Sequence, residues 1–288
     1  MVSSRNHVQT QDSRVTHHIE NRIYHVEVVP PKQDTEKLET DLERFSDKFN
    51  RIMDSGYCCC ITDNAMGHLA FQGPEMIEEL GLTPKQDLVL IHINTFHTRD
   101  DLHRILQSCI DLGIRQLLVI SGDGSDRLPK LTPADIGATG VQSVTSVELL
   151  RYIHREFAGV FELGVAFNPY EPEEHEFAKT ERKLAAGASF IITQPVINRH
   201  PIVDKLIEKH PDVPVVVEAW MSKNIGLLSE AVGYSLSEDA ESFDPVETLK
   251  NLHRNYRGCG YYLSLLGFKK QYDRVTGLWQ QVENSRKG

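Results

Sequence analysis

The sequence predicts an α/β fold, a single-domain (β/α)8 TIM barrel, on three observations. From residue 22 onward, short apolar runs alternate with amphipathic segments, the pattern of successive βα units. The runs number eight, at 22–29, 57–62, 87–93, 115–121, 161–167, 188–193, 213–218 and 259–265. The length of 288 residues suits one barrel of about 250 residues with short extensions. An open doubly wound sheet is the competing arrangement. It is disfavoured because no GxGxxG follows the first run, and Pro30-Pro31 stands where a phosphate-cradling helix would begin.

The elements follow in order. The first strand stops at the tandem prolines, which cannot donate to a ladder. A helix over 35–54 opens on Thr35-Glu36, and another covers about 74–81. The helix at 99–112 ends at Gly113, and that at 172–186 ends at Gly187. Further helices are expected at 145–157, 197–209 and 267–284, with helical pieces in 221–256 broken by an acidic loop from Ser237 to Asp244. The longest loop, 122–144, directly follows the fourth strand, and long loops inside compact domains are usually functional. Residues 1–20 are polar and read as a disordered or extended leader carrying a tag-like His17-His18, with 21–288 forming the barrel.

A net charge of -10 argues against nucleic-acid or anionic-membrane partners, which need clustered Lys and Arg. No apolar stretch approaches the roughly 20 residues of a membrane span, and no signal core opens the chain. A cytoplasmic protein with small-molecule ligands is expected. The five cysteines form no CxxC pair. Adjacent Cys58, Cys59 and Cys60 point to alternate faces of a strand, so core packing is expected and metal binding is not.

In such a barrel the active site lies at the carboxyl ends of the strands. Those ends carry Glu27, Thr62-Asp63-Asn64, His92 with Asn94, Gly122-Asp123, Asn168, Thr193-Gln194 and Glu218. Glu27 is the one acid in an apolar strand, so it is either a functional group with a raised pKa or half of a buried ion pair with Lys32 or Arg182. Asp123, between two glycines, either accepts from a heterocycle or closes an Asx turn. His92 is a ligand donor or a structural histidine. Arg182 and Lys183, near a helix C-terminus, read by themselves as complement to the helix dipole.

Four segments in combination resemble the methylenetetrahydrofolate reductase family. They are Val26-Glu27-Val28-Val29-Pro30-Pro31-Lys32, Ile61-Thr62-Asp63-Asn64-Ala65-Met66-Gly67, Ser121-Gly122-Asp123, and Glu181-Arg182-Lys183 through Gly187-Ala188 to Ile192-Thr193-Gln194. The resemblance implies a barrel using FAD, with NADH or NADPH as co-substrate and tetrahydrofolate derivatives as substrate. It implies Glu27 as the general acid and Asp123 beside both flavin and pterin. By the same resemblance Gln194 contacts folate, while Thr62, His92, Gly122, Arg182 and Lys183 hold FAD. A homo-oligomer is also expected. Ser121 and Lys179 stand where better-known bacterial members have arginine and asparagine. The alternatives are a flavin-free folate barrel using direct hydride or methyl transfer, and a non-catalytic paralogue.

Overall fold

The structure is a computed structural model, and it describes residues 13–233 and 243–284. Eight parallel strands close into one barrel in sequence order. They are β1 (His25–Val28), β2 (Cys58–Ile61), β3 (Val89–Ile93), β4 (Gln116–Val119), β5 (Glu162–Phe167), β6 (Phe190–Thr193), β7 (Val215–Trp220) and β8 (Gly260–Ser264). Closure comes from β8 pairing with β1, His25 opposite Tyr262 and Val26 opposite Leu263. All eight expected strands are present. β7 runs two residues further than expected, so Glu218 lies within it rather than at its end.

Around the barrel lie α2 (Leu38–Asp54), α3 (Gly73–Glu79), α4 (Arg99–Asp111), α5 (Ser146–Glu156), α6 (Glu173–Ala185), α7 (Pro201–Lys209), α8 (Ile225–Val232) and α9 (Pro245–Asn255), preceded by α1 (Arg14–Glu20). The segment expected as one helix over 267–284 divides into α10 (Tyr272–Val275) and α11 (Leu278–Asn284) around Gly277, whose φ is +75°. Most of the acidic loop from Ser237 to Asp244 lies outside the described residues. Its last member, Asp244, caps α9 by accepting from the Val246 N–H at 2.9 Å. No helix among the described residues is long and apolar enough to cross a membrane.

Alternation along the strands divides two packed regions. Outward residues such as Val26, Cys59, Ile61, Ile91 and Val217 pack under the helices, while Cys58, Cys60, Leu90, Leu118, Phe190, Ile192 and Val216 fill the barrel axis. Gly164 makes the axis possible at one level: a Cβ there would stand 2.1 Å from the Phe190 ring.

The leader expectation is corrected for residues 13–20, the first twelve lying outside the described residues. Ser13 caps α1, accepting from the Thr16 N–H at 3.2 Å and donating to Glu162 Oε1 at 2.5 Å. Arg14 pairs with Asp87 at 2.6 Å. Val15 enters the axis cluster and His18 is fully buried. The ring nitrogens of His18 lie 3.2 Å from His25 Nε2 and 2.8 Å from the Asp87 carbonyl. α1 is therefore the floor of the barrel. Burial pulls the His18 pKa down to about 4, keeping the imidazole neutral where it packs.

Candidate active site

β1 alternation sends His25 and Glu27 to the same inner face, with His25 near the floor and Glu27 near the mouth. Glu27 Oε2 accepts from the Tyr262 hydroxyl at 3.3 Å, and Oε1 accepts from the Leu265 N–H at 3.2 Å. The same Tyr262 hydroxyl lies 3.2 Å from His92 Nε2. Burial raises the Glu27 pKa above the ordinary carboxyl value; its two hydrogen bonds and the charge of Lys48 oppose that rise without cancelling it. Glu218, on the inner face of β7, is raised well above by burial and by the Glu27 charge. Two such carboxyls facing one cavity do not both ionise readily, so the pair keeps a proton to higher pH than an ordinary carboxyl would.

Neither Lys32 nor Arg182 is among the partners found for Glu27, which leaves the buried ion-pair alternative without its expected cation among the described residues. His92 is itself held neutral, its pKa lowered to about 4 by burial.

Glu27, Thr62, His92, Gly122, Asp123 and Gln194 line one cavity of about 200 Å³, together with Glu218 and Tyr262. The loops after β2 and β4 meet at its rim. Met66 N–H donates to Asp123 Oδ2 at 3.2 Å, and Met66 is 65 % exposed there. Asn64 and Met66 both have positive φ, at 45° and 57°, so local strain is concentrated where the two loops touch. Gly122 has φ of +77°, and a Cβ on it would stand 2.7 Å from that of Asn94. Behind the rim, buried Asp63 accepts from the Asn94 N–H at 2.8 Å and from His97 Nε2 at 2.7 Å, which fixes the ends of β2 and β3.

Arg182 and Lys183 do not join this cavity. Arg182 is exposed on α6. Lys183 is 3 % exposed; its Nζ donates to the Ala166 carbonyl at 2.5 Å and stands 4.0 Å from Glu176. Burial lowers its pKa to about 8. Glu176 also accepts from Lys179 Nζ and the Asn168 N–H, at 2.8 and 2.9 Å, so the charges of α6 close on one another behind β5.

The fit to a flavin differs between its two ends. At the ring end the mouth offers Thr62 Oγ1, buried with no partner among the described residues, the bare backbone of Gly122, and the Gln194 side chain. These suit a flat heterocycle with a polar edge. At the phosphate end neither cation of the motif, Arg182 or Lys183, reaches this cavity. The lining contains Glu27, Asp63, Asp123 and Glu218 but no lysine or arginine, and Lys183 is engaged elsewhere.

One residue of the site is read only in part from the sequence, and another escapes it. Glu218 stands out as a polar strand residue, but its coupling to Glu27 is invisible without the barrel. Tyr262 is the more complete miss, because 259–265 reads simply as a short apolar run. The available signal was parity: Gly260, Tyr262 and Ser264 share one face of β8, and glycine and serine on a strand face mark an interior with room for a polar side chain.

Residues 14–213 match the protein-family model described as Methylenetetrahydrofolate reductase. No curated protein matches the chain. Among solved structures, the chain is similar to a "putative phosphonomutase" from Burkholderia cenocepacia J2315, at 13 % identity over 95 % of this chain and 97 % of that one, with a TM-score of 0.47. It is also similar to a 2,3-dimethylmalate lyase of the PEP mutase/isocitrate lyase superfamily, at 10 % identity over 94 % and 86 %, with a TM-score of 0.45. Likenesses of this order carry nothing about chemistry.

Proposed function

The chain belongs to the methylenetetrahydrofolate reductase family, and on that premise we propose that it interconverts 5,10-methylenetetrahydrofolate and 5-methyltetrahydrofolate by hydride transfer. Glu27 is the general acid, FAD the cofactor, and NADH or NADPH the co-substrate. The observation that carries this reading is a carboxyl held toward its protonated form inside the mouth cavity.

Opening the one-carbon bridge of the substrate requires a proton on the ring nitrogen that departs. A carboxyl with an ordinary pKa is ionised at neutral pH and has none to give. Burial moves the Glu27 pKa in the needed direction. After transfer, the Tyr262 hydroxyl and the Leu265 N–H stabilise the carboxylate that remains. Asp123 can accept from pterin N–H groups, and the Gln194 amide offers one donor and one acceptor group at the same mouth. Thr62, His92, Gly122 and Asp123 would border a flavin ring. A bound flavin supplies the hydride relay between nicotinamide and the one-carbon unit.

A second reading, direct hydride transfer from the nicotinamide without flavin, is favoured by one observation: Lys183 is bonded to Ala166 and no cation lines the mouth. The absorbance spectrum of the purified protein, followed by anaerobic addition of 5-methyltetrahydrofolate, separates the two. A yellow protein that bleaches on addition supports the flavin route. A colourless protein that takes up no FAD, yet oxidises NADH with methylenetetrahydrofolate, removes the cofactor half of the proposal. Absence of folate turnover by either route removes the whole.

A further inference from the structure

The floor of the barrel, at the opposite end from the mouth, gathers three metal-ligating side chains in a fully buried space. His18 comes from α1, His25 from the start of β1 and Cys58 from the start of β2, each with no exposed surface. One donor atom from each, two imidazole nitrogens and the thiol sulfur, lies within 4.8 Å of the others. Strand register explains part of this convergence, because His25 stands opposite Cys58 and both turn inward.

The tautomer of His18 is fixed from behind. Its Nε2 lies 2.8 Å from the Asp87 carbonyl, a group that only accepts, so Nε2 carries the proton and Nδ1 turns a lone pair toward His25. A ring N–H given to a backbone carbonyl is the usual support of a metal-bound histidine. His18 Nδ1 and His25 Nε2 are 3.2 Å apart, close to the roughly 3.3 Å between two nitrogens that each bind one tetrahedral zinc at about 2.0 Å. A hydrogen bond between the rings suits the same distance, so the surroundings decide. Gln116 Oε1 stands 4.0 Å from Cys58 Sγ, while Gln116 Nε2 and His25 Nδ1 are both buried with no partner among the described residues. Four polar side chains thus meet in a closed space with too few hydrogen bonds among them, a shortfall that calls for a further occupant.

We propose that His18, His25 and Cys58 bind one zinc ion that fastens α1 to the floor of the barrel. Two imidazoles and a thiolate form a borderline-soft donor set, which suits zinc and not magnesium or calcium. Gln116 Oε1 is placed on the Cys58 side for a fourth position. On binding, the Cys58 thiol releases its proton to solvent and its sulfur lone pair goes to the metal, with no change of oxidation state. The ion has a mechanical task there. α1 has seven residues, two of them buried, too few to hold a helix by themselves, and ligands from α1, β1 and β2 tie it to two strands. Of the three adjacent cysteines only Cys58 takes part, since Cys59 packs outward under the helices. The assignment does not depend on the folate reading.

The test uses the full chain, prepared without a polyhistidine tag, with zinc and cobalt(II) as probes. Metal analysis of protein grown with added zinc is expected to find about one zinc per chain. After chelation, cobalt(II) should give a thiolate-to-cobalt charge-transfer band that saturates at about one equivalent and is displaced by zinc. Zinc at about a hundredfold excess over its Kd should raise the Tm by about 5 °C. Cys58→Ser should remove the band and His18→Gln should prevent its saturation, whereas Cys60→Ser should keep it. A native chain that shows neither the band nor the Tm rise overturns the assignment without any variant, and gives the space to buried water. Zinc that binds with no thiolate band on cobalt exchange is adventitious at surface histidines, and a band that survives Cys58→Ser belongs to another thiol; either result also overturns it.

Discussion

The Tyr262 hydroxyl donates to Glu27 Oε2 across 3.3 Å, joining the last strand of the barrel to the first. Closure register makes this possible: Tyr262 lies level with His25, so its long side chain reaches up the axis to the next inward residue of β1. The bond favours the ionised carboxyl. Tyr262→Phe should therefore raise the Glu27 pKa further and cost about 1 kcal/mol of stability. The expected readout is an alkaline shift of the pH limb for folate reduction. A limb that stays in place would remove Tyr262 from the acid's environment.

Glu27→Gln separates the two halves of the reaction. Loss of the proton donor should lower folate turnover by about two to four orders of magnitude, while nicotinamide-driven reduction of any bound flavin persists. In the native enzyme, folate reduction should fall as pH rises through the raised Glu27 pKa, because the acid form is then lost. Equal loss in both half-reactions would make Glu27 structural.

Glu218 offers a stability test with a definite sign. Its folded pKa lies well above the ordinary value, so the stability linked to its bound proton is full below that ordinary value and is lost as pH rises through the folded one. Glu218→Gln should then raise the Tm at pH 8 by a few degrees with little change at pH 4. A Tm gain independent of pH would point to packing instead.

His18 acts in the opposite direction. Its folded pKa of about 4 lies below the model-peptide 6.5, so the stability it contributes is present above 6.5 and is lost as pH falls toward 4. The effect is on the order of 3 kcal/mol at most, with buried His25 adding to it in the same window. Thermal melts between pH 7 and 4 should show a steep acid limb, which His18→Leu should flatten. An unchanged limb would assign acid lability elsewhere.

The strands were legible because each is buried on both faces and reads as an apolar run bounded by turn residues. Glu27 was legible because it interrupts such a run. Its partner Tyr262 was not, because the contact spans 235 positions and depends on closure register. α1 was illegible for a different reason: a seven-residue helix with two buried residues, one a histidine, has no apolar stripe to detect. Arg182 and Lys183 show the limit of motif reading. The motif names both residues, but the face of α6 decides that one meets solvent and the other the Ala166 carbonyl.

The α1 floor has a consequence for the acid at the other end of the axis. Below Glu27 the barrel axis is filled by Cys60, Leu90, Phe190 and, rising from the floor, Val15. With the axis packed from below, the direct approach of a proton to Glu27 is from the mouth, the side on which a ligand would seat. If Glu27 is the proton donor, it is then expected to take up its proton before a ligand seats and to regain it after the ligand leaves, like a single-shot device.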